Sequence, residues 1–162
     1  MTVRRLNHAV LYVRDAEVSS EFYRETLGFE VSAAHPGAVF LKAAGSANDH
    51  DLGLFSVGPD AGAPRRGQTG LYHLAWEVGT LGELLSVAER LSERGAIVGA
   101  SDHIVATSIY AKDPDGIEFE VMWRVPAGDW DREARSRQLD LDAALARWGA
   151  DLATGAAAGS PT

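Results

Sequence analysis

The feature that most constrains the fold of this chain is a short histidine-containing pattern that occurs twice. Residues 6–13 and 71–78 each place a histidine, His8 or His73, at the start of an apolar run with the alternation of a β-strand. Each copy is followed by an amphipathic helical pattern and then by further strand patterns. The repeated order predicts an internal duplication, in which two similar modules pair and each covers the open face of the other.

The first module is predicted to run strand, helix, strand, strand, strand. Asp15 has the side chain of a helix N-cap and Gly28 is a natural helix stop, so a helix is predicted over residues 16–27. Strand patterns follow at residues 29–31, 38–41 and 51–57, with a turn at Pro36–Gly37.

The second module repeats this order with stronger helix signals. Thr80 and Glu83 form a capping-box pair, and Gly95 ends the helix. Its predicted apolar stripe consists of Leu81, Leu84, Leu85, Ala88 and Leu91. Strand patterns follow near residues 96–98, 107–112 and 117–123. Superposing the two β-α-β-β-β modules places His8 on His73.

These patterns predict an α+β domain over residues 1–125, with modules at about 4–58 and 70–125 joined by a linker rich in Gly, Pro and Ala. The expected architecture is two paired β-α-β-β-β modules that form a curved mixed sheet around a metal cleft. A C-terminal extension over 126–153 is expected to form an amphipathic helix from residue 129 to about 152. Residues 154–162 are small and polar, and are expected to be disordered.

Composition narrows the possible chemistry. The 162-residue chain has no cysteine, so a metal must be bound by nitrogen and oxygen ligands, and a cysteine nucleophile is excluded. A formal net charge of −8 argues against nucleic-acid binding, which depends on clustered Lys and Arg. No apolar stretch is long enough to cross a bilayer, and no signal-peptide core follows the N-terminus. We expect a cytoplasmic protein without nucleic-acid or membrane partners.

A metal site is suggested by the duplicated histidines. A lone histidine in an apolar strand is usually a hydrogen-bonded structural residue, but His8 and His73 occupy equivalent positions of equivalent modules. The last strand pattern offers a carboxylate, either Glu118 or Glu120, which share one strand face and which periodicity cannot separate. Two imidazoles and one carboxylate leave half of the coordination sphere open, as is typical of non-haem Fe(II) oxygenases.

The two histidines, the segment at residues 113–120 and the duplicated module order resemble the vicinal oxygen chelate superfamily over about residues 4–125. In that superfamily the metal carboxylate stands four residues after the turn glycine. The resemblance therefore implies that the metal ligands are His8, His73 and Glu120.

Three further residues resemble those of the type I extradiol ring-cleaving dioxygenases within that superfamily. The resemblance implies that His50 is the acid-base histidine and that His103 and Tyr110 lie against the substrate. Taken separately, His50 and His103 could be loop or turn residues and Tyr110 could fill a strand. His35 matches no such position and is expected in a surface turn.

The expected function is cleavage of a catechol ring by dioxygen at Fe(II), with Mn(II) as an alternative ion and a homo-oligomeric assembly, a dimer or larger. There are two alternatives. One is a non-catalytic protein that binds aromatic natural products, and the other is a metal-dependent isomerase or lyase of the glyoxalase type. Glyoxalase-type members use a further carboxylate from the last strand of the first module, yet residues 52–57 contain no acid.

Three aromatic residues could line an apolar pocket or belong to the core, namely Phe40, Trp76 and Trp123.

Overall fold

The computed structural model describes residues 2–65, 67–131 and 133–155 of the chain. It divides the chain into two compact units. Unit 1 comprises Met1–Gln68 together with Asp113–Ile117, and unit 2 comprises Thr69–Lys112 and Glu118–Thr162. Each unit contains a four-stranded mixed sheet and a helix in the order β-α-β-β-β, which confirms the α+β class and the duplicated modules.

Unit 1 is built from five elements, β1 (Ala9–Val13), α1 (Ala16–Leu27), β2 (Glu30–His35), β3 (Ala38–Lys42) and β4 (Leu52–Ser56). The strand order is β1-β4-β3-β2, with β1 parallel to β4 and the other neighbours antiparallel. His8 stands one residue before β1, and His50 stands two residues before β4. Both histidines therefore lie where the chain enters neighbouring strands of one sheet.

Local signals set the limits of α1 as predicted. The Asp15 carboxylate accepts hydrogen bonds from the backbone N–H groups of Glu17 and Val18, which lack helical partners. Gly28 adopts a φ of 77°, the left-handed conformation that a side chain would disfavour, and ends the helix. The helix buries Phe22 and Tyr23 in the core of unit 1.

Unit 2 is built from β5 (Leu74–Val78), α2 (Leu81–Glu93), β6 (Ile97–Asp102), β7 (Ala106–Lys112), β8 (Glu118–Arg124) and a C-terminal helix, α3 (Leu141–Trp148). Its sheet order is β5-β8-β7-β6, the same arrangement as in unit 1. The predicted capping box of Thr80 and Glu83 is present at the start of α2. The buried stripe of α2 contains Val87 and not Leu85 or Ala88, which are only partly buried.

The turn at residues 113–117 is held within unit 1 by buried polar contacts. Oδ1 of Asp113 accepts the backbone N–H groups of Asp115 and Ile117, and the hydroxyl of Tyr23 donates to Oδ2 of Asp113. The Arg14 guanidinium lies 2.9 Å from Oδ1 of Asp115. Burial raises the pKa of the Asp113 carboxyl, although these hydrogen bonds oppose the shift.

The C-terminal extension corrects the prediction of one helix from residue 129 to about 152. A single 3₁₀ turn covers Ala127–Asp129, and the α-helix begins only at Leu141. Asp140 caps that helix by accepting the Ala143 N–H, while Arg137 pairs with Asp102 in an antiparallel bridge that a helix could not make. Apolar periodicity detected the helix but not the tertiary pairing that shortens it.

The end of the chain is only partly described. The predicted disordered tail at residues 154–162 falls mostly on residues 156–162, which lie outside the described residues. Thr154 itself is buried, with its backbone N–H on the Gly79 carbonyl and its hydroxyl on the Arg124 carbonyl. In the described part of the chain, no helix has the length and apolarity to cross a membrane.

Candidate metal and substrate site

Unit 2 brings a predicted histidine and a predicted carboxylate into direct contact. Nε2 of His73 lies 3.2 Å from Oε2 of Glu120. His73 immediately precedes β5, and β5 runs parallel to β8 with Ala75 beside Glu120. The sheet register therefore places Glu120 next to the histidine, whereas Glu118 pairs with Lys112 at the start of β8.

The geometry of this pair suits two neighbouring ligands of one metal ion. Nitrogen and oxygen ligands at about 2.1 Å from a metal, with an angle of about 90° between them, are separated by about 3.0 Å. The observed distance of 3.2 Å between Nε2 of His73 and Oε2 of Glu120 is close to that ligand–ligand separation. Glu120 is only 9% exposed, and one imidazole with one carboxylate forms the mixed donor set that Fe(II) and Mn(II) accept.

The second nitrogen of the His73 ring has a different environment. Nδ1 of His73 is buried and has no hydrogen-bond partner among the described residues. Nε2 is therefore the nitrogen that faces a polar partner, the Glu120 carboxylate.

Tyr110 and His103 extend this cluster. Tyr110 is the direct cross-strand partner of Glu120, and its ring centroid lies 5.7 Å from that of His73. Its hydroxyl lies 2.7 Å from Nε2 of His103. Burial, and then the Glu120 carboxylate, raise the pKa of Tyr110, so the phenol stays protonated at neutral pH. Unit 2 thus assembles four of the six predicted site residues.

Unit 1 brings together the remaining two. The rings of His8 and His50 have centroids 4.5 Å apart, and the Phe40 ring stands edge-on to His50 at 5.1 Å. Nδ1 of His8 lies 2.9 Å from Oδ1 of Asn7. Nδ1 of His50 lies 3.2 Å from Asp49, whose pKa is lowered by a hydrogen bond from its own backbone and then by His50.

A polar network that the sequence analysis missed fixes the two loops carrying His8 and His50. The buried Asn48 donates to the Asn7 carbonyl at 2.8 Å and to Oδ1 of Asp51 at 2.7 Å. Burial works to raise the pKa of Asp51, but hydrogen bonds from Ala43, Ser46 and Asn48 outweigh it and lower that pKa. The Ser, Asn and Asp residues within positions 46–51 could have indicated this network, because their side chains commonly bond to nearby backbone groups in loops.

The structure places the other candidates as follows. His35 is the exposed last residue of β2 and not part of a turn, because the turn begins at Pro36. Trp123 is fully buried and packs against Trp148, so it belongs to the core and not to a pocket wall. Phe40 borders His50, and Trp76 is partly buried in β5.

Two of the three predicted ligands are in contact, and the third belongs to the other unit. Within residues 2–65, 67–131 and 133–155, no group of three or more His, Asp or Glu side chains forms a set that could hold a metal ion. The described residues therefore bring His73 and Glu120 together in unit 2, and His8 and His50 together in unit 1.

Comparison with known families identifies the class of protein. The model of the Glyoxalase/Bleomycin resistance protein/Dioxygenase superfamily matches residues 5–121. The chain belongs to this superfamily, which confirms the family resemblance seen in its histidines and its duplicated modules.

Within this class, curated relatives carry dioxygenase names. The chain is 33% identical over 129 residues to the catechol-2,3-dioxygenase of Bacillus subtilis (strain 168), covering 79% of this chain and 44% of that protein. It is 34% identical over 125 residues to biphenyl-2,3-diol 1,2-dioxygenase 3 of Rhodococcus globerulus, covering 75% of this chain and 64% of that protein. The chain thus spans about half to two thirds of the length of these relatives.

Solved structures agree on the fold. A glyoxalase/bleomycin resistance protein/dioxygenase domain from Frankia sp. EAN1pec has a TM-score of 0.62 at 22% identity, covering 76% of this chain and all of that one. A glyoxalase/dioxygenase from Nostoc punctiforme has a TM-score of 0.62 at 20% identity, covering 76% of this chain and 92% of that one. At these identities the likeness shows the fold alone.

Proposed function

We propose that this chain is an Fe(II)-dependent extradiol dioxygenase that cleaves the ring of a catechol-type substrate beside its two hydroxyl-bearing carbons. The observation that carries the proposal is the cluster in unit 2, in which Nε2 of His73 lies 3.2 Å from Oε2 of Glu120 and Tyr110, the cross-strand partner of Glu120, contacts His103. The dioxygenase names of the curated relatives support the same reaction class.

The proposed ligands are His8, His73 and Glu120, with Mn(II) as an alternative ion. His73 and Glu120 fit neighbouring coordination positions, and His8 is proposed as the third ligand because it holds in the first module the position of His73 in the second. When bound, the ion would stabilise the deprotonated diol and supply the redox chemistry for reaction with dioxygen.

The remaining residues are proposed to bind the substrate and move its protons. The Tyr110 hydroxyl and Nε2 of His103, 2.7 Å apart, would hydrogen-bond to and orient the diol oxygens. His50 would take a proton from the diol and later return one, since an imidazole nitrogen can both accept and donate a proton. The Phe40 ring against His50 offers an apolar surface to the aromatic ring of the substrate.

The isomerase or lyase alternative has weaker support. The residues of β4, Leu52–Ser56, include no acid, so the additional carboxylate ligand of the glyoxalase type has no candidate there. Open coordination positions suit a reaction with dioxygen better than an isomerisation. A purely binding protein would need neither the His73–Glu120 pair nor the second histidine pair. Cytoplasmic location and homo-oligomerisation stay predictions from the sequence.

Anaerobic reconstitution with Fe(II) or Mn(II), followed by oxygen-uptake measurements with catechol and 2,3-dihydroxybiphenyl, tests the function. The expected result is one dioxygen consumed per ring cleaved, with the yellow chromophore of an extradiol product. Metal-loaded protein that binds these diols without oxygen uptake would instead indicate a binding protein. Isomerisation or lysis of a substrate without oxygen uptake would indicate the glyoxalase-type alternative.

A further inference from the structure

The C-terminal strap, defined here as residues 133–140, is fixed to the strand that leads to His103. Asp102 and Arg137 exchange two backbone hydrogen bonds of 2.9 and 3.0 Å. The Arg137 guanidinium also lies 2.8 Å from Oδ2 of Asp102, and the Ser101 hydroxyl donates to the Arg137 carbonyl. Four contacts at one point hold the strap in register with the end of β6, so the neighbouring Ser136 is fixed as well.

The turn that presents His103 has an uncommon backbone conformation. Ile104 is the one non-glycine residue with positive φ among the described residues, at 72°. A β-branched residue disfavours this region, and such conformations are concentrated at functional sites. Asp102 stabilises the turn by accepting the Ile104 N–H at 2.8 Å, and the His103 N–H bonds to the Ala106 carbonyl at 2.8 Å.

Both ring nitrogens of His103 have partners. Nδ1 lies 2.9 Å from the Ser136 hydroxyl oxygen, and Nε2 lies 2.7 Å from the Tyr110 hydroxyl oxygen. A neutral imidazole has one N–H donor and one bare nitrogen, so the two partners must take opposite roles.

The cross-strand partner of Tyr110 decides those roles. Glu120 is the cross-strand partner of Tyr110, and the side chains of the two residues share a hydrogen bond. A carboxylate accepts hydrogen bonds, so the phenol proton is directed to Glu120. The phenol oxygen is then free to accept from Nε2–H of His103. Nδ1 is consequently the bare nitrogen, and the Ser136 hydroxyl must be its donor.

We propose that Ser136 is a positioning residue that donates to Nδ1 of His103 and keeps the ring hydrogen on Nε2, directed at Tyr110. The mechanistic consequence rests on the proposed function, in which Nε2 of His103 contacts a diol oxygen. The strap would thereby hold His103 as a hydrogen-bond donor towards the substrate. Ser136 itself would touch neither metal nor substrate.

Two substitutions at Ser136 and one control separate this role from a general loosening of the strap. Ser136→Ala removes the donor to Nδ1, and Ser136→Thr restores a hydroxyl. Ser101→Ala removes a different hydroxyl from the same strap, one that bonds to the Arg137 carbonyl. Ser136 is exposed, so its replacement by alanine leaves the core intact.

The direct test is nitrogen NMR of the histidine rings in the metal-free 162-residue chain, with His103→Gln used to assign the His103 signals. We expect the Nε2–H tautomer in the unsubstituted protein. Ser136→Ala should move the Nδ1 resonance towards that of a bare nitrogen without a donor, Ser136→Thr should restore it, and Ser101→Ala should leave it in place. An Nδ1–H tautomer in the unsubstituted protein, or an Nδ1 resonance insensitive to Ser136→Ala, would overturn the proposal.

A kinetic measurement then tests the consequence for turnover. In the Fe(II)-loaded protein, Ser136→Ala should lower kcat by about tenfold with a smaller change in KM, and Ser136→Thr should recover most of it. Equal losses in Ser136→Ala and Ser101→Ala would overturn the positioning role. If the unsubstituted protein cleaves no diol, the proposed function fails, and the NMR result alone decides the tautomer.

Discussion

Tyr110 and Glu120 are direct partners across the antiparallel pair β7–β8, and Ala75 of β5 lies beside Glu120 on its other side. This register brings the carboxylate to His73 and the phenol to the carboxylate. Because side chains alternate between the two faces of a strand, a shift of one residue would turn Glu120 away from His73. The position of Glu120 between Tyr110 and His73 in unit 2 therefore depends on strand pairing.

Replacing Glu120 should remove a metal ligand, whereas replacing Glu118 should not. Glu120→Gln keeps the shape of the side chain but removes the charge 3.2 Å from Nε2 of His73. We expect Glu120→Gln to lose most of its bound iron after reconstitution and desalting, as measured by elemental analysis. Glu118→Gln is the matched control from the same strand face and should retain the metal. Equal iron content in both variants would remove Glu120 from the ligand set.

His8→Ala tests the third ligand, for which the symmetry of the modules is the argument. The variant should lose iron as His73→Ala does, because each would leave only two protein donors. His35→Ala is a suitable control, since His35 is an exposed residue at the end of β2. An iron-replete His8→Ala protein would contradict the assignment of His8.

His50→Phe should separate metal binding from turnover. The ring of His50 packs between those of His8 and Phe40, and phenylalanine retains an aromatic ring there without a titratable nitrogen. Iron content should stay near normal while kcat falls by about 100-fold or more, the size expected for losing a general acid-base group. Unchanged oxygen uptake in this variant would remove His50 from the mechanism.

The buried Asp113 predicts a pH-dependent contribution to stability. Its pKa is raised in the folded state, so between the ordinary value of 3.8 and the raised value the folded chain binds more protons than the unfolded chain. This contribution to the free energy of unfolding is fully present below the unfolded pKa and is lost as the pH rises through the folded pKa.

Asp113→Asn removes this titration while retaining Oδ1 as acceptor for the N–H groups of Asp115 and Ile117. Urea titrations of both proteins from about pH 4 to about pH 7 should show the difference, unsubstituted minus variant, falling as the pH rises. Parallel curves over this range would show that Asp113 does not titrate as expected.

The capping box of α2 predicts a defined loss of stability. The Thr80 hydroxyl accepts the Glu83 N–H at 3.1 Å, and Glu83 in turn accepts the Thr80 N–H at 3.1 Å. Thr80→Ala should lower the free energy of unfolding by about 1 kcal/mol, while Thr80→Ser should remain close to the unsubstituted protein. Urea unfolding followed by circular dichroism measures both, and equal stability of the two variants would contradict the cap.

Helix limits were predictable because their causes are local in sequence. The limits of α1 follow from Asp15 and Gly28, and the start of α2 follows from Thr80 with Glu83. The helix predicted from residue 129 was wrong at its start, because Arg137 instead pairs with Asp102 from a strand 35 residues earlier. The spacing of apolar residues is a local property, so it does not predict pairing between residues that are distant in the chain.

The sequence by itself determined the superfamily, the duplicated β-α-β-β-β order and the set of candidate histidines, because periodicity and capping depend on neighbouring residues. Periodicity left Glu118 and Glu120 equivalent and the family resemblance implied Glu120, but only the tertiary structure placed Glu120 in contact with His73 and revealed Ser136 and Asn48 as partners of the site loops. Strand register and contacts between residues distant in the chain decide these features, and two glutamates of equal parity look alike until their strand is paired.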